Sequence, residues 1–312
     1  MAQHVGSLRS LNLLGCFAVT IALCGCDLKA FTVNTTAPVL KMASDGFAAE
    51  NDPTLAREAA PGQLKTVDGF LLASPENADL LHVLAQGYIE YAFGFLEDDY
   101  ENVPDDAKHA VERDAMAARI TNLYDRALGY ALRLVALEDK HFPEMFKKDV
   151  ASAESEAKKL DKDSAPGLLF TGLALASGIN LNRQDLARVV DLPKAIAIIK
   201  RSHELAPKFY NAGAAMTLGI IYCSQGKAIG GDPDLGKKFF DEAINANDGK
   251  YLMPRVMMAR FFAVITQDRP LFEKTLKAVI ATPNDVFPAQ RLPNILAKKR
   301  AERYLAHAED YF

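Results

Sequence analysis

Residues 192–207 read LPKAIAIIKRSHELAP. Ala195, Ile199, Ser202 and Leu205 recur at steps of four, three and three, which is one face of an α-helix. Pro207 cannot continue that helix, while Asp191 and Pro193 mark its start. The alternation of small and large residues on the face suits the second helix of a tight hairpin. A small side chain at the crossing lets two axes approach to the ~8–10 Å of close packing. Residues 234–246 repeat the theme with Gly236, Phe240 and Ala243. Matching first helices carry Leu81, Leu84, Ala85 and Tyr88, and again Leu218, Gly219 and Tyr222. A further pair runs through Val256, Ala259, Arg260 and Ala263, then Phe272, Leu276 and Val279.

Working outward, helical periodicity predicts segments 76–97, 111–137, 143–160, 165–180, 192–205, 210–224, 234–246, 253–266, 269–281 and 288–309. Many open on a capping residue and a proline, as in Ser74-Pro75, Asp163-Ser164-Ala165-Pro166 and Asp232-Pro233. No segment shows convincing β alternation. The small-residue crossings resemble tetratricopeptide units. The expected fold is therefore all-α. It is a helical-hairpin array of about four repeat pairs, with insertions near 98–115, 181–192 and 225–235 and a C-terminal capping helix.

The first helix of each pair is apolar nearly all round, for example Leu80–Leu96 and Gly167–Ser177. All-round apolarity means burial on both sides. In a curved array the first helices line the concave face, which must itself be covered. Long insertions, the C-terminal helix, other subunits or a ligand are the candidates. Two readings stay open: a filled core, or an apolar cavity for a lipophilic guest. The candidate ligand contacts are the polar and aromatic residues set in these helices. They are Tyr88, Glu90, Tyr91, Phe95, Phe170, Tyr222, Arg255 and Arg260. A buried charge needs a partner, so Arg255 or Arg260 is expected either to form a structural ion pair or to orient a carboxylate by bidentate bonding.

The N-terminus has its own pattern. Residues 11–23, LNLLGCFAVTIAL, are too short an apolar run to span a bilayer but suit a signal-peptide core. The following Leu23-Cys24-Gly25-Cys26 resembles a bacterial lipobox, although Cys24 stands where a small residue is usual. Cys26 is then the lipidated residue, since an ionisable sulfur readily forms a thioether. The expected organisation is a leader at 1–25, a lipidated cysteine and tether at 26–37, and one helical domain at 38–312. No second apolar stretch of 18 residues is expected to cross the membrane.

Several stretches, in order along the chain, resemble the T component of TRAP transporters. They are Asp68–Ala78 with Leu84–Tyr88 and Tyr91–Glu97, then Tyr124, Arg126, Ala127 and Tyr130. Gly230-Gly231-Asp232-Pro233 with Phe239–Ala243 follows, then Pro254–Arg260 with Asp268, Phe272 and Leu276, and finally Asn294–Leu305. The resemblance implies a periplasmic tetratricopeptide lipoprotein that docks a solute-binding P component. It also implies a cavity or pore for a hydrophobic ligand or organic acid. Membrane Q and M subunits would complete the importer. Trimeric assembly is known in the family and is carried as an expectation. So is a lipid anchor in a Gram-negative cell membrane, inner or outer. The alternative is a periplasmic interaction scaffold with no small ligand.

Composition and motifs narrow the rest. The formal charge of −4, from 36 Lys+Arg against 40 Asp+Glu, leaves no basic footprint for nucleic acid. The six histidines, at 4, 82, 109, 141, 203 and 307, show no metal-ligand spacing. There is no Walker loop and no G-x-S-x-G, so neither an enzyme nor a cofactor is expected. Gly230-Gly231 reads as a turn, and Cys223 as a buried, inert thiol.

Overall fold

The computed structural model describes residues 27–224, 227 and 230–312. Cys26 lies outside the described residues, as do Cys16 and Cys24. The described residues are helical, without strands.

The stretch expected to be a tether is instead part of α1 (Asp27–Phe47). Its Val33 and Ala37 are buried, and Asn34 Oδ1 accepts from the Ser74 hydroxyl at 2.6 Å and the Asn77 amide at 2.8 Å. A further helix absent from the expected set, α2 (Pro53–Ala73), starts where the Asp52 carboxylate accepts from the Thr54 and Leu55 amides. With Pro53 at its first position this is a strong N-terminus. Ser74 closes α2 rather than opening the next helix. Asn77 takes over as cap for α3 (Ala78–Tyr91), accepting from Leu80 N at 2.9 Å. That helix runs through a π segment (Ala92–Leu96) into α4 (Glu97–Asn102).

Next comes α5 (Ala110–Ala136). The expected single helix over 143–160 is broken at Asp149 into α6 (Phe142–Lys148) and α7 (Val150–Ala157), because the Asp149 carboxylate caps the Ser152 amide at 2.8 Å. The remaining helices are α8 (Ala165–Leu181), the short α9 (Leu186–Val189), α10 (Leu192–Leu205), α11 (Phe209–Cys223) and α12 (Pro233–Asn245). They are followed by α13 (Met253–Met257) with a second π segment (Met258–Ala263), then α14 (Arg269–Ala281) and α15 (Arg291–Ala306).

Packing follows chain order. Helix α3 lies on α5, α5 on α8, α8 on α10, α10 on α11 and α11 on α12, and α14 lies on α15. The crossings use the residues that the pattern singled out. A Cβ on Gly172 would stand 2.4 Å from Ile199 Cγ1 and 3.1 Å from the Ala195 carbonyl. One on Gly219 would meet the Phe240 ring at 2.9 Å, and one on Gly236 the Cys223 sulfur at 2.4 Å. These glycines serve close approach of the helices. The segment Lys162–Leu181, contrary to expectation, is long and apolar enough to cross a membrane by length and composition, but its apolar window is 72% buried within the fold. It is a core helix between α5 and α10.

The C-terminal helix is more than a cap on the last pair. It returns to the start of the domain. Leu292 N donates to Ala48 O at 2.9 Å, and Arg291 Nη1 to Ala49 O at 3.1 Å. Farther along, Arg303 Nη1 bonds the Asp98 carbonyl at 3.0 Å, and the Tyr304 hydroxyl bonds Glu101 at 2.8 Å. Helix α15 thus bridges the last helix pair and the first.

Candidate functional site: an internal cavity closed by the first and last helices

Closure of the array leaves a cavity of about 470 Å³. The wall is built from the first helices α3, α8 and α11, from both π segments, and from covering residues of α1, α2 and α15. Leu173, Ile179, Met216, Ile220, Leu292 and Leu296 give it its apolar character. Of the two readings left open by the sequence, the apolar first helices line a cavity. The cover comes from the C-terminal helix together with α1 and α2. Both π segments contribute, through Phe93, Gly94 and Phe95 and through Phe261. Such bulges often occur at functional sites.

Three of the eight candidate ligand residues, Glu90, Tyr91 and Phe95, reach the wall. The other five are placed elsewhere. The Tyr88 hydroxyl donates to Asp68 at 2.9 Å in a network that also includes Tyr130, Lys65 and Arg126. Burial first, and the Asp68 carboxylate second, push the Tyr88 pKa up to about 12. Burial acts against ionisation of Asp68, but hydrogen bonds from Lys65, Tyr130 and Tyr88 outweigh it and hold that carboxyl below its ordinary value. This family-like motif therefore ties α2, α3 and α5 together. Phe170 is buried and meets Phe209 and Tyr210 edge-on. Tyr222 stacks on Phe239 with centroids 6.0 Å apart. Arg255 fills the space beside Gly249. Arg260 lies over the Tyr311 ring, 4.5 Å from its centroid.

The polar wall residues missed by the sequence reading come from covers, insertions and a strained turn. Tyr210, Asn211 and Ala212 open α11 with positive φ of 53°, 54° and 59°. The left-handed region costs an L-residue ~1–2 kcal/mol. The Tyr210 hydroxyl donates to Glu90 at 2.9 Å on the wall. Glu97 is a second wall carboxyl, and it accepts from the buried Tyr124 hydroxyl. Desolvation drives its pKa up to about 7. Arg300 and the Tyr124 bond oppose that rise, and Glu101 adds to it. Arg300, only 1% exposed, donates to the Phe93 carbonyl, covers that ring at 4.2 Å and sits 3.5 Å from Asp98. Burial works against its charge, but Tyr304, Glu101, Glu97 and Asp98 together keep the guanidinium protonated. Among the described residues no three His, Cys, Asp or Glu side chains are grouped to hold a metal ion.

Fold and site together define an all-helical array around a mainly apolar, partly open cavity with a few polar groups on its wall. The family model described as TRAP transporter T-component matches residues 49–312, so the chain belongs to that family. It is accordingly an envelope-associated accessory component of TRAP transport. A protein of Treponema pallidum (strain Nichols), described as uncharacterized, is 22% identical over 314 residues, covering 95% of this chain and 96% of its own length.

Proposed function

We propose that this T component is a periplasmic lipoprotein that docks a solute-binding protein of the TRAP system and holds a hydrophobic ligand in its cavity. The cavity carries the reading: about 470 Å³ of mainly apolar space inside a protein of a transport family. An apolar recess of this size presents hydrocarbon surface to water, which a lipophilic guest would cover. Acylation at Cys26 supplies the anchor in this reading. The anchor concentrates the protein where the transporter's membrane subunits lie, and the docked solute-binding protein receives or delivers the ligand.

The test is co-purification from the native envelope. The tagged full-length protein, cross-linked in cells, is expected to recover a periplasmic solute-binding protein, and Cys26→Ser is expected to release it from the membrane fraction. Recovery of envelope proteins that never include a solute-binding protein would reject the docking role.

A further inference from the structure

Arg183 is the exception among the charged groups of the cavity. The wall acids are already engaged: Glu90 by Tyr210 and Gln86, Glu97 by Tyr124, and Glu101 by Arg303 and Tyr304. Other arginines also meet carboxylates, as in Arg57 with Asp99 and Arg188 with Asp125. Arg183 lines the cavity, yet among the described residues no Asp or Glu forms an ion pair with it. Its side-chain partner is Asn180, whose Oδ1 accepts from Nε at 3.0 Å and from Nη2. Among the described residues the Nη1 donors have no acceptor.

The surroundings oppose this charge. Arg183 is an exposed residue at the edge of the cavity, on the insertion that follows α8. The protein around it desolvates the guanidinium and, with Arg260, pulls its pKa below the ordinary value. Arg260 is a second cation without an ion pair among the described residues, held by the faces of Tyr311, Tyr304 and Phe261. Arg183 on the cavity wall, with the charge of Arg260 acting on it from outside the wall, makes a place where an anion is stabilised. A guanidinium offers a planar fork of donors to such an anion.

Accepting the cavity as a ligand site, we propose that it takes a single-chain amphiphile with an anionic head group, the head bound by Arg183 and the chain lying along the apolar wall. Arg183 then sets the sign of the head group, while Leu173, Ile179, Met216 and Ile220 take the hydrocarbon.

Four probes of equal chain length test this: dodecanoate, dodecyl phosphate, dodecan-1-ol and dodecyltrimethylammonium. Each is titrated calorimetrically into the acylated protein held in nanodiscs, with empty nanodiscs subtracted. The two anions are expected to bind about tenfold or more tightly than the alcohol, as a charge-assisted hydrogen bond requires, and the cation more weakly still. Arg183→Met is expected to remove that advantage and leave dodecan-1-ol binding unchanged, with Arg183→Lys recovering part of it. A preference for one of the two anions supports the assignment and names the head group. Equal binding of anions and alcohol, or an Arg183→Met variant with full affinity for the anions, overturns the head-group assignment while the cavity reading stands. Failure of all four probes to bind overturns both.

Discussion

Glu97 makes the stability of this protein depend on pH in an unusual direction. Its carboxyl titrates at about 7 in the fold against an ordinary 4.5, because burial on the cavity wall disfavours the anion more than Arg300 and Tyr124 favour it. The folded state therefore holds the proton more tightly than the unfolded chain. Between pH 4.5 and about 7 the unfolded chain has lost the proton and the folded protein keeps it, so this residue's contribution to stability falls as pH rises. The loss is about 1.4 kcal/mol per pH unit and about 3 kcal/mol across the window, with no further loss above it. Glu97→Gln keeps an acceptor for the Tyr124 hydroxyl and has no proton to lose. Urea unfolding of both proteins from pH 4 to 8.5 reads the difference directly. The variant should gain on the parent by about 3 kcal/mol between pH 4.5 and 7, and the gap should then level off. A gap that stays flat across this range, or one that widens toward acid, would refute the placement of Glu97 in a desolvated wall.

Other consequences follow from single contacts. Arg300→Met removes the buried guanidinium that bonds the Phe93 carbonyl and lies 3.5 Å from Asp98, while Arg303 still pairs with Asp98 and Glu101. It should cost about 1–3 kcal/mol in chemical denaturation, and an unchanged stability would contradict these buried contacts. Gly172→Ala drives a methyl into Ile199 and the Ala195 carbonyl and should destabilise by about 1–3 kcal/mol. Gly129→Ala, in the open on α5 with nothing within 4 Å of its Cβ, should stabilise by about 0.5–1 kcal/mol, and thermal melts of the pair give opposite signs if both sites are read correctly. Burial first, then Asp232 and Asp234, raise the Cys223 thiol to a pKa of about 12. Iodoacetamide at pH 8 should accordingly label it only in denaturant, and rapid labelling of the native protein would place it elsewhere.

The pairwise architecture was legible because close approach of helices has a chemical signature. Gly172 opposite Ile199, Gly219 opposite Phe240 and Gly236 opposite Cys223 are positions where a larger residue has no room, and they recur at helical spacing. Helix α2 was harder to see. Its start at Asp52-Pro53 is a strong signal, but Pro61 and Gly62 interrupt the pattern in its middle. The site was readable only in part, and the reason is geometric. A helix that is apolar all round does not announce which face looks inward. Tyr88 and Tyr91 are three residues apart on α3, yet the first turns to Asp68 and the second to the cavity. The decisive polar groups come from long-range placement: Arg183 from an insertion, Arg300 from the returning C-terminal helix and Tyr210 from a left-handed turn. Local periodicity carries no information about any of these.

The glycines of the first helices invite the thought that they leave the empty volume, and the packing argues otherwise. Gly87 and Gly94 are wall residues, but a Cβ at Gly87 would collide with Leu64 Cδ2 of α2 at 2.6 Å, and one at Gly94 would come within 3.3 Å of Leu296 Cδ1 of α15. These two glycines let the covering helices settle onto the first pair. The space arises instead from how the cover is held. Helix α15 is pinned at one end by Leu292 and Arg291 to the carbonyls of Ala48 and Ala49, and farther along by Arg300 and Arg303 to Phe93 and Asp98. Backbone-directed bonds of this kind fix the helix at a set position and stop it from collapsing onto the apolar wall beneath. Small residues bring the cover in at its edges, and polar ties hold its span. The all-round apolarity of the first helices then has a direct cause: one face packs against a partner helix and the other faces the cavity.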